Sequence, residues 1–114
     1  MPMPEVLFGS QAARHYNALE RGPALQVKYF ADIRLLAKCS EQQIASAPTT
    51  LQSLLTELAA QHGPAFQKRI FDDGKLSKTV VIVVNGQNVR QMAGLETPLG
   101  PGDAISIFPV IAGG

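Results

Sequence analysis

The chain has 114 residues, 46% hydrophobic and 17% charged, so it fits one domain that can bury a modest core without disulfides or metal. Ten basic residues balance nine acidic ones, and a net charge of +1 gives no electrostatic case for nucleic acid as a partner. The longest aliphatic run, Val80 to Val84, is too short to span a bilayer, and the N-terminus lacks an apolar signal-peptide core. These features predict a cytoplasmic protein that has no membrane partner.

Residues 1–24 differ in composition from the rest, with Met-Pro-Met-Pro at the start and Gly22-Pro23 at the end. Ser10 is a candidate N-cap for a short helix that runs to Arg21, and the alternative is a disordered segment. The weakly apolar face of that helix would consist of Ala12, Ala13, Tyr16 and Leu19. We therefore interpret residues 1–24 as an N-terminal extension and residues 25–109 as the folded domain.

Two short strands begin this domain. Residues 25–30 alternate apolar and polar side chains, which predicts a half-buried strand, and a second strand is predicted around Glu41 to Ala45. The intervening residues 31–40 are interpreted as a turn region, so the two strands should pair as a hairpin.

The main helix is the best-marked element. Pro48 ends the sheet, and Thr49 to Gln52 has the spacing of a capping box. Gly63-Pro64 ends the helix, and Pro64 to Phe71 predicts a further helical turn. Between these limits apolar or weakly polar residues recur at helical intervals: Leu51, Leu54, Leu55, Leu58, Ala59 and His62.

The second half of the domain reads as strands and turns. Asp72-Asp73-Gly74-Lys75 is a surface turn, where adjacent acids satisfy local amides and are weak evidence for catalysis. The nearly uninterrupted β-branched run of residues 79–84 predicts a strand at a central position in the sheet, and Asn85-Gly86 predicts a sharp turn with positive φ. Residues 100–103 form a turn before the last strand, residues 103–108. Together the elements predict an α+β sheet with one main helix across one face.

The helix leucines should face that sheet. Leu51, Leu54, Leu55 and Leu58 are predicted to touch Val81, Val83 and Ile105 or Ile107. Phe108 lies on the opposite strand face from Ile105 and Ile107, where it either anchors a partner or covers the sheet.

Residues that often hold metals are isolated. Cys39, the single cysteine, has no partner for a disulfide or a zinc site and is interpreted as a small buried or half-buried apolar residue. His15 and His62 lack a second ligand at helical spacing. The basic residues Lys68, Arg69, Lys75 and Lys78 indicate a solvated face.

The chain ends in Gly113-Gly114 directly after a strand. Because glycine lacks Cβ, such a tail can thread a narrow slot and bring its carboxylate to a partner's reactive centre. Pro109 keeps the chain extended and removes a ladder donor. Residues 110–114 are therefore predicted to be a flexible tail, although a bare terminal Gly-Gly is by itself usually inert.

Several ordered segments resemble the small subunit of molybdopterin synthase. They are Val27–Arg34, Val84–Gly86, Leu95–Leu99, Gly102–Asp103 and Ile107–Gly114. The resemblance implies a β-grasp (ubiquitin-like) fold with a mixed sheet of four to five strands and one main helix. The ending Val-Ile-Ala-Gly-Gly is also similar to the thiamine-pathway carrier, and a cysteine-biosynthesis carrier ends alike.

The resemblance also implies a chemistry for the tail. Gly114 would be adenylated by an ATP-dependent, E1-like adenylyltransferase, converted to a thiocarboxylate by a sulfur donor system, and used by the large subunit of molybdopterin synthase. Gly113 and Ala112 would give access to the terminus, and Phe108, Pro109, Val110 and Ile111 would bind partners. The carrier would have no catalytic residue or bound cofactor of its own, since the activating enzyme consumes the ATP.

Two alternatives remain from the sequence. A protein modifier would use the same activation but join Gly114 to a lysine of a target, and a plain β-grasp binding domain would have inert glycines. Arg34 either pairs with a partner or is a solvated turn residue.

Overall fold

The computed structural model describes residues 23–110, so most of the predicted N-terminal extension and residues 111–114 of the tail lie outside the described residues. The strands are β1 (Leu25–Tyr29), β2 (Glu41–Ile44), β3 (Phe71–Asp72), β4 (Lys75–Leu76), β5 (Val80–Val84), β6 (Gln87–Asn88) and β7 (Ala104–Pro109). The helices are α1 (Ala31–Ala37), α2 (Leu51–His62) and α3 (Pro64–Ile70), with 3-10 turns at Val89–Gln91 and Gly94–Glu96.

Five strands form one mixed sheet in the order β2-β1-β7-β5-β6, while β3 and β4 make a separate two-stranded ribbon. The last strand, β7, is the central one, parallel to β1 and antiparallel to β5. The predicted hairpin of β1 and β2 is confirmed by their antiparallel pairing. This architecture confirms the predicted α+β class and mixed sheet.

The core lies between the sheet and α2. Leu54, Leu55 and Leu58 are fully buried with Ile105 and Ile107 of β7, which confirms that part of the predicted packing. The predicted contacts with Val81 and Val83 are wrong, because β5 buries Val80, Ile82 and Val84 instead. Side chains alternate along a strand, and a run made only of β-branched residues contains no polar residue to mark its inner face.

The start of α2 is fixed by a capping box one residue later than predicted. Thr50 is the N-cap: its Oγ1 accepts from the Ser53 N–H at 3.2 Å, and Ser53 Oγ accepts from the Thr50 N–H at 3.1 Å. The helix ends at His62, as predicted, with Gly63 at φ 101° and Pro64 opening α3.

The segment predicted as a turn between β1 and β2 contains the helix α1. Ile33 and Ala37 are buried at the i, i+4 spacing, and Lys38 ends the helix in the left-handed conformation with φ 62°. Two helical turns give few periodic positions, and Phe30 at the N-cap supplies no side-chain cap, so the sequence carries little helix signal here.

The Asn85-Gly86 turn was predicted correctly, with φ of 52° and 85°. The Asn85 side chain also fixes the entry to β7: Nδ2 donates to Asp103 Oδ1, and Oδ1 accepts from the Ala104 N–H, both at 2.9 Å. The hairpin turn thereby anchors the strand that leads to the tail.

Candidate functional site: the end of the central strand

The central strand β7 ends at Pro109, and Val110 follows it directly. Pro109 lies opposite Val80 in the ladder, and the Val110 N–H donates to Thr79 O at 3.0 Å. Val110 is 47% exposed. The other predicted tail residues, Ile111, Ala112, Gly113 and Gly114, lie outside the described residues. Val110 is therefore the root of the tail: it is the last residue that the structure describes, and its N–H makes one hydrogen bond after Pro109.

An aromatic pair lies beside this root on the face of the sheet away from α2. Phe108 is half-buried, pairs with Val81 in the ladder, and meets Phe30 edge to face with centroids 5.8 Å apart. Phe30 is 44% exposed. The location of Phe108 opposite to Ile105 and Ile107 agrees with the sequence, while its role as a partner anchor stays a prediction. Phe30 was not singled out as a site residue.

An ion pair lies next to Thr79, the residue that binds Val110. Arg69 Nε donates to Asp32 Oδ2 at 2.7 Å, and Arg69 Nη1 donates to Thr79 Oγ1 at 2.8 Å. Thr79 Oγ1 is also 2.8 Å from Ser77 Oγ. The hydrogen bond from Arg69 holds the pKa of Asp32 below its usual range. Arg69 thus links Asp32 to Thr79, the residue whose carbonyl accepts the Val110 N–H.

Sequence reasoning missed this cluster. Arg69 was grouped with Lys68, Lys75 and Lys78 as a solvated face; those lysines are exposed, but Arg69 is bound on two sides. Its partner Asp32 is 37 positions away along the chain, so no local spacing could have revealed the pair.

A second polar cluster is structural. Tyr29 Oη donates to Gln42 Oε1 at 2.7 Å, and His62 Nε2 lies 3.0 Å from the same oxygen. Burial, with a smaller contribution from the charge of Cys39, raises the pKa of the Tyr29 phenol, and burial lowers the pKa of His62. These contacts join β1, β2 and the end of α2, far along the chain from the tail.

The remaining candidate residues have simple locations. Cys39 is half-buried against the core, as predicted, and Arg34 is exposed on α1. Within residues 23–110 no three side chains of His, Cys, Asp or Glu are grouped to hold a metal ion, and no helix is long and apolar enough to cross a membrane. Val110 follows Phe108, which meets Phe30, by two residues, and it donates to Thr79, whose hydroxyl accepts from Arg69.

Known proteins with similar sequences are small carriers and modifiers. A protein of Archaeoglobus fulgidus that bears the name of a sulfur carrier is 40% identical over 72 residues, covering 63% of this chain and 82% of its own. Small archaeal modifier protein 3 of Haloferax volcanii is 31% identical over 91 residues, which cover 79% of this chain and 98% of the modifier. The sulfur carrier protein CysO of Mycobacterium tuberculosis is 32% identical and covers 65% and 82%.

Solved structures give the same picture. Small archaeal modifier protein 1 of Methanosarcina acetivorans is similar with a TM-score of 0.70 and 31% identity, covering 81% of this chain and 97% of its own. A Pyrococcus furiosus protein named as subunit 1 of a molybdopterin converting factor is similar with a TM-score of 0.63 and 30% identity. The match covers 79% of this chain and 100% of that protein. The sequence profile of the ThiS family matches residues 27–114, from β1 to the terminal glycine. The chain therefore belongs to the ThiS family of ubiquitin-like sulfur carriers.

Proposed function

We propose that this protein carries sulfur for the synthesis of molybdopterin, on a thiocarboxylate formed at Gly114. The observation that carries the proposal is the order of the sequence: Gly113 and Gly114 come three and four residues after Val110, which follows the central strand and is bound to Thr79. A strand followed a few residues later in the sequence by two residues without side chains suits delivery of a carboxylate into a partner's narrow slot.

The reaction begins at the α-carboxylate. A carboxylate is a poor electrophile, so an E1-like adenylyltransferase joins it to AMP from ATP and releases pyrophosphate. A sulfide equivalent from the sulfur donor system then displaces AMP and leaves the thiocarboxylate. The ionised sulfur is the nucleophile that attacks the pterin precursor in the large subunit of molybdopterin synthase. This chain supplies position and a covalently attached reagent, and ATP is consumed by its partner.

Two similarities favour the molybdopterin pathway: one is a sequence motif around the first strand, and the other is a similar protein of known structure. The Val27–Arg34 segment resembles the molybdopterin type, and the P. furiosus protein is similar over its whole length. A second function, protein modification, is favoured by the likeness to small archaeal modifier protein 3, which spans nearly all of that protein. The third, sulfur transfer for cysteine synthesis, follows from the likeness to CysO, and a thiamine-pathway role from the similar ending.

Mass spectrometry of the terminus tests the proposal. With its cognate activating enzyme, ATP and a sulfur source, the chain should gain the mass of one sulfur in place of one oxygen. A chain lacking Gly114, or extended by one residue, should stay unchanged but folded, because no packed side chain is lost. Activated chain mixed with the large synthase subunit should lose its sulfur only when pterin precursor is present.

Other outcomes decide between the functions. Amide adducts on lysines of other proteins would favour the modifier, and sulfur loss to an acceptor of cysteine or thiamine synthesis would favour those pathways. If a validated activating enzyme leaves the intact terminus unchanged, the carrier proposal is wrong.

A further inference from the structure

One guanidinium joins helix α1 to the backbone that holds the tail. Arg69 binds Asp32 of α1 through Nε and the Thr79 hydroxyl through Nη1, at 2.7 and 2.8 Å. The Thr79 carbonyl accepts the Val110 N–H at 3.0 Å, and Arg69 Nη1 and Nη2 both lie 3.5 Å from that same carbonyl oxygen. Thr79 therefore accepts a hydrogen bond from Arg69 with its hydroxyl and another from Val110 with its backbone carbonyl.

The bond between Val110 and Thr79 is the last rung of the ladder among the described residues. Hydrogen-bonded pairs alternate with non-hydrogen-bonded pairs in an antiparallel ladder, and Pro109 lies opposite Val80 at a non-hydrogen-bonded position, so the preceding rung toward β5 is the Phe108–Val81 pair. If Val110 is released, the last rung among the described residues moves from Val110 to Phe108, which lies six positions along the sequence from Gly114 instead of four. The effective concentration of a tethered group falls at least as the −3/2 power of tether length, so this release lowers it about twofold.

We propose that Arg69 is a positioning residue, which holds Thr79 so that Val110 stays in the ladder and Gly114 approaches the activating enzyme from a fixed point. The inference rests on the proposed function for the identity of that enzyme. An arginine suits this position because its planar fork presents donors in fixed directions to Asp32 and Thr79, whereas the ammonium of lysine is a compact point charge without that fixed geometry.

The exposure of the pair makes the contact sensitive to salt. The Asp32 side chain is 51% exposed and that of Arg69 21%, so mobile ions screen their attraction. Added salt should therefore weaken the hydrogen bond between Val110 and Thr79 in the unaltered chain. Its effect should be smaller in Thr79→Val, which lacks the hydroxyl that Arg69 binds.

Hydrogen exchange of the Val110 amide tests the hold without any partner. Thr79→Val keeps the shape and the carbonyl but removes the hydroxyl that accepts from Arg69 Nη1 and contacts Ser77 Oγ, and Arg69→Lys keeps the charge. Each should speed exchange at Val110 about fivefold, the effect of one ordinary hydrogen bond. Lys68→Gln, which removes an exposed charge from the same helix, should leave it unchanged. Unchanged exchange in both Thr79→Val and Arg69→Lys would overturn the inference.

Kinetics then test the consequence. In ATP-dependent activation, Thr79→Val and Arg69→Lys should raise KM about twofold or more and leave kcat unaltered, because the chemistry at Gly114 is the same once bound. Faster exchange with an unchanged KM would refute positioning while leaving the proposed function intact. If even the unaltered chain is not activated, the proposed function fails, and the exchange data alone decide whether Arg69 holds the root.

Discussion

Replacing Phe108 with alanine should weaken partner binding more than folding, and Ile107→Ala on the same strand should do the reverse. Ile107 is fully buried in the core, so its truncation should cost about 2–5 kcal/mol in the free energy of unfolding. Phe108 is half-buried, and its edge-to-face contact with Phe30 is worth about 0.5–1.5 kcal/mol. With some lost apolar area, we expect a cost near 2 kcal/mol or less for Phe108→Ala.

Two assays on the same proteins separate these costs. At roughly 4–8 °C per kcal/mol for a domain of this size, Ile107→Ala should lower Tm by about 10 °C or more, and Phe108→Ala by clearly less. Truncation of a central aromatic anchor costs about 2 kcal/mol or more in association, or about 30-fold in Kd for the activating enzyme or large synthase subunit. An unchanged Kd for Phe108→Ala, with a Tm as low as that of Ile107→Ala, would show that Phe108 only covers the sheet.

Leu55→Ala should destabilise the domain by about 2–5 kcal/mol in urea unfolding because Leu55 is fully buried, whereas Leu35→Ala, at a residue 74% exposed, should change stability by less than about 0.5 kcal/mol; similar costs at both positions would contradict the packing. Because burial lowers the pKa of His62, the unfolded chain takes up a proton first as pH falls below about 6.5, so stability should decline from there down to the folded pKa. His62→Gln should flatten that decline in Tm measured from pH 7.5 to 5; a decline of the same depth would exclude His62 as its source.

Local signals predicted much of the fold. The Asn85-Gly86 turn and the end of α2 at Gly63 were both placed correctly, because glycine and asparagine supply the positive φ that these turns require. The strand alternation around Val27 also gave the correct hairpin with β2.

Features that depend on distant contacts could not be predicted. The inner face of β5 is set by packing under α2, and the uniform run from Val80 to Val84 carries no sign of it. Likewise, Arg69 resembles its lysine neighbours in sequence, and its contacts with Asp32 and Thr79 exist only once three elements meet. The predicted roles of Gly113 and Gly114 rest on the family, since no geometry of residues 111–114 is described.

The central place of β7 has a consequence for how the protein is synthesised. Because β7 separates β1 from β5, a nascent chain that stops before Ala104 has one hairpin of β1 and β2, another of β5 and β6, and no strand to join them. The parallel pairing of Gln26 with Ala104 closes a long loop, and such non-local contacts form late in folding. Chains cut short on the ribosome would therefore stay unfolded and open to proteolysis, so molecules that lack the terminal glycines through truncation upstream of β7 would be removed rather than compete for the partners.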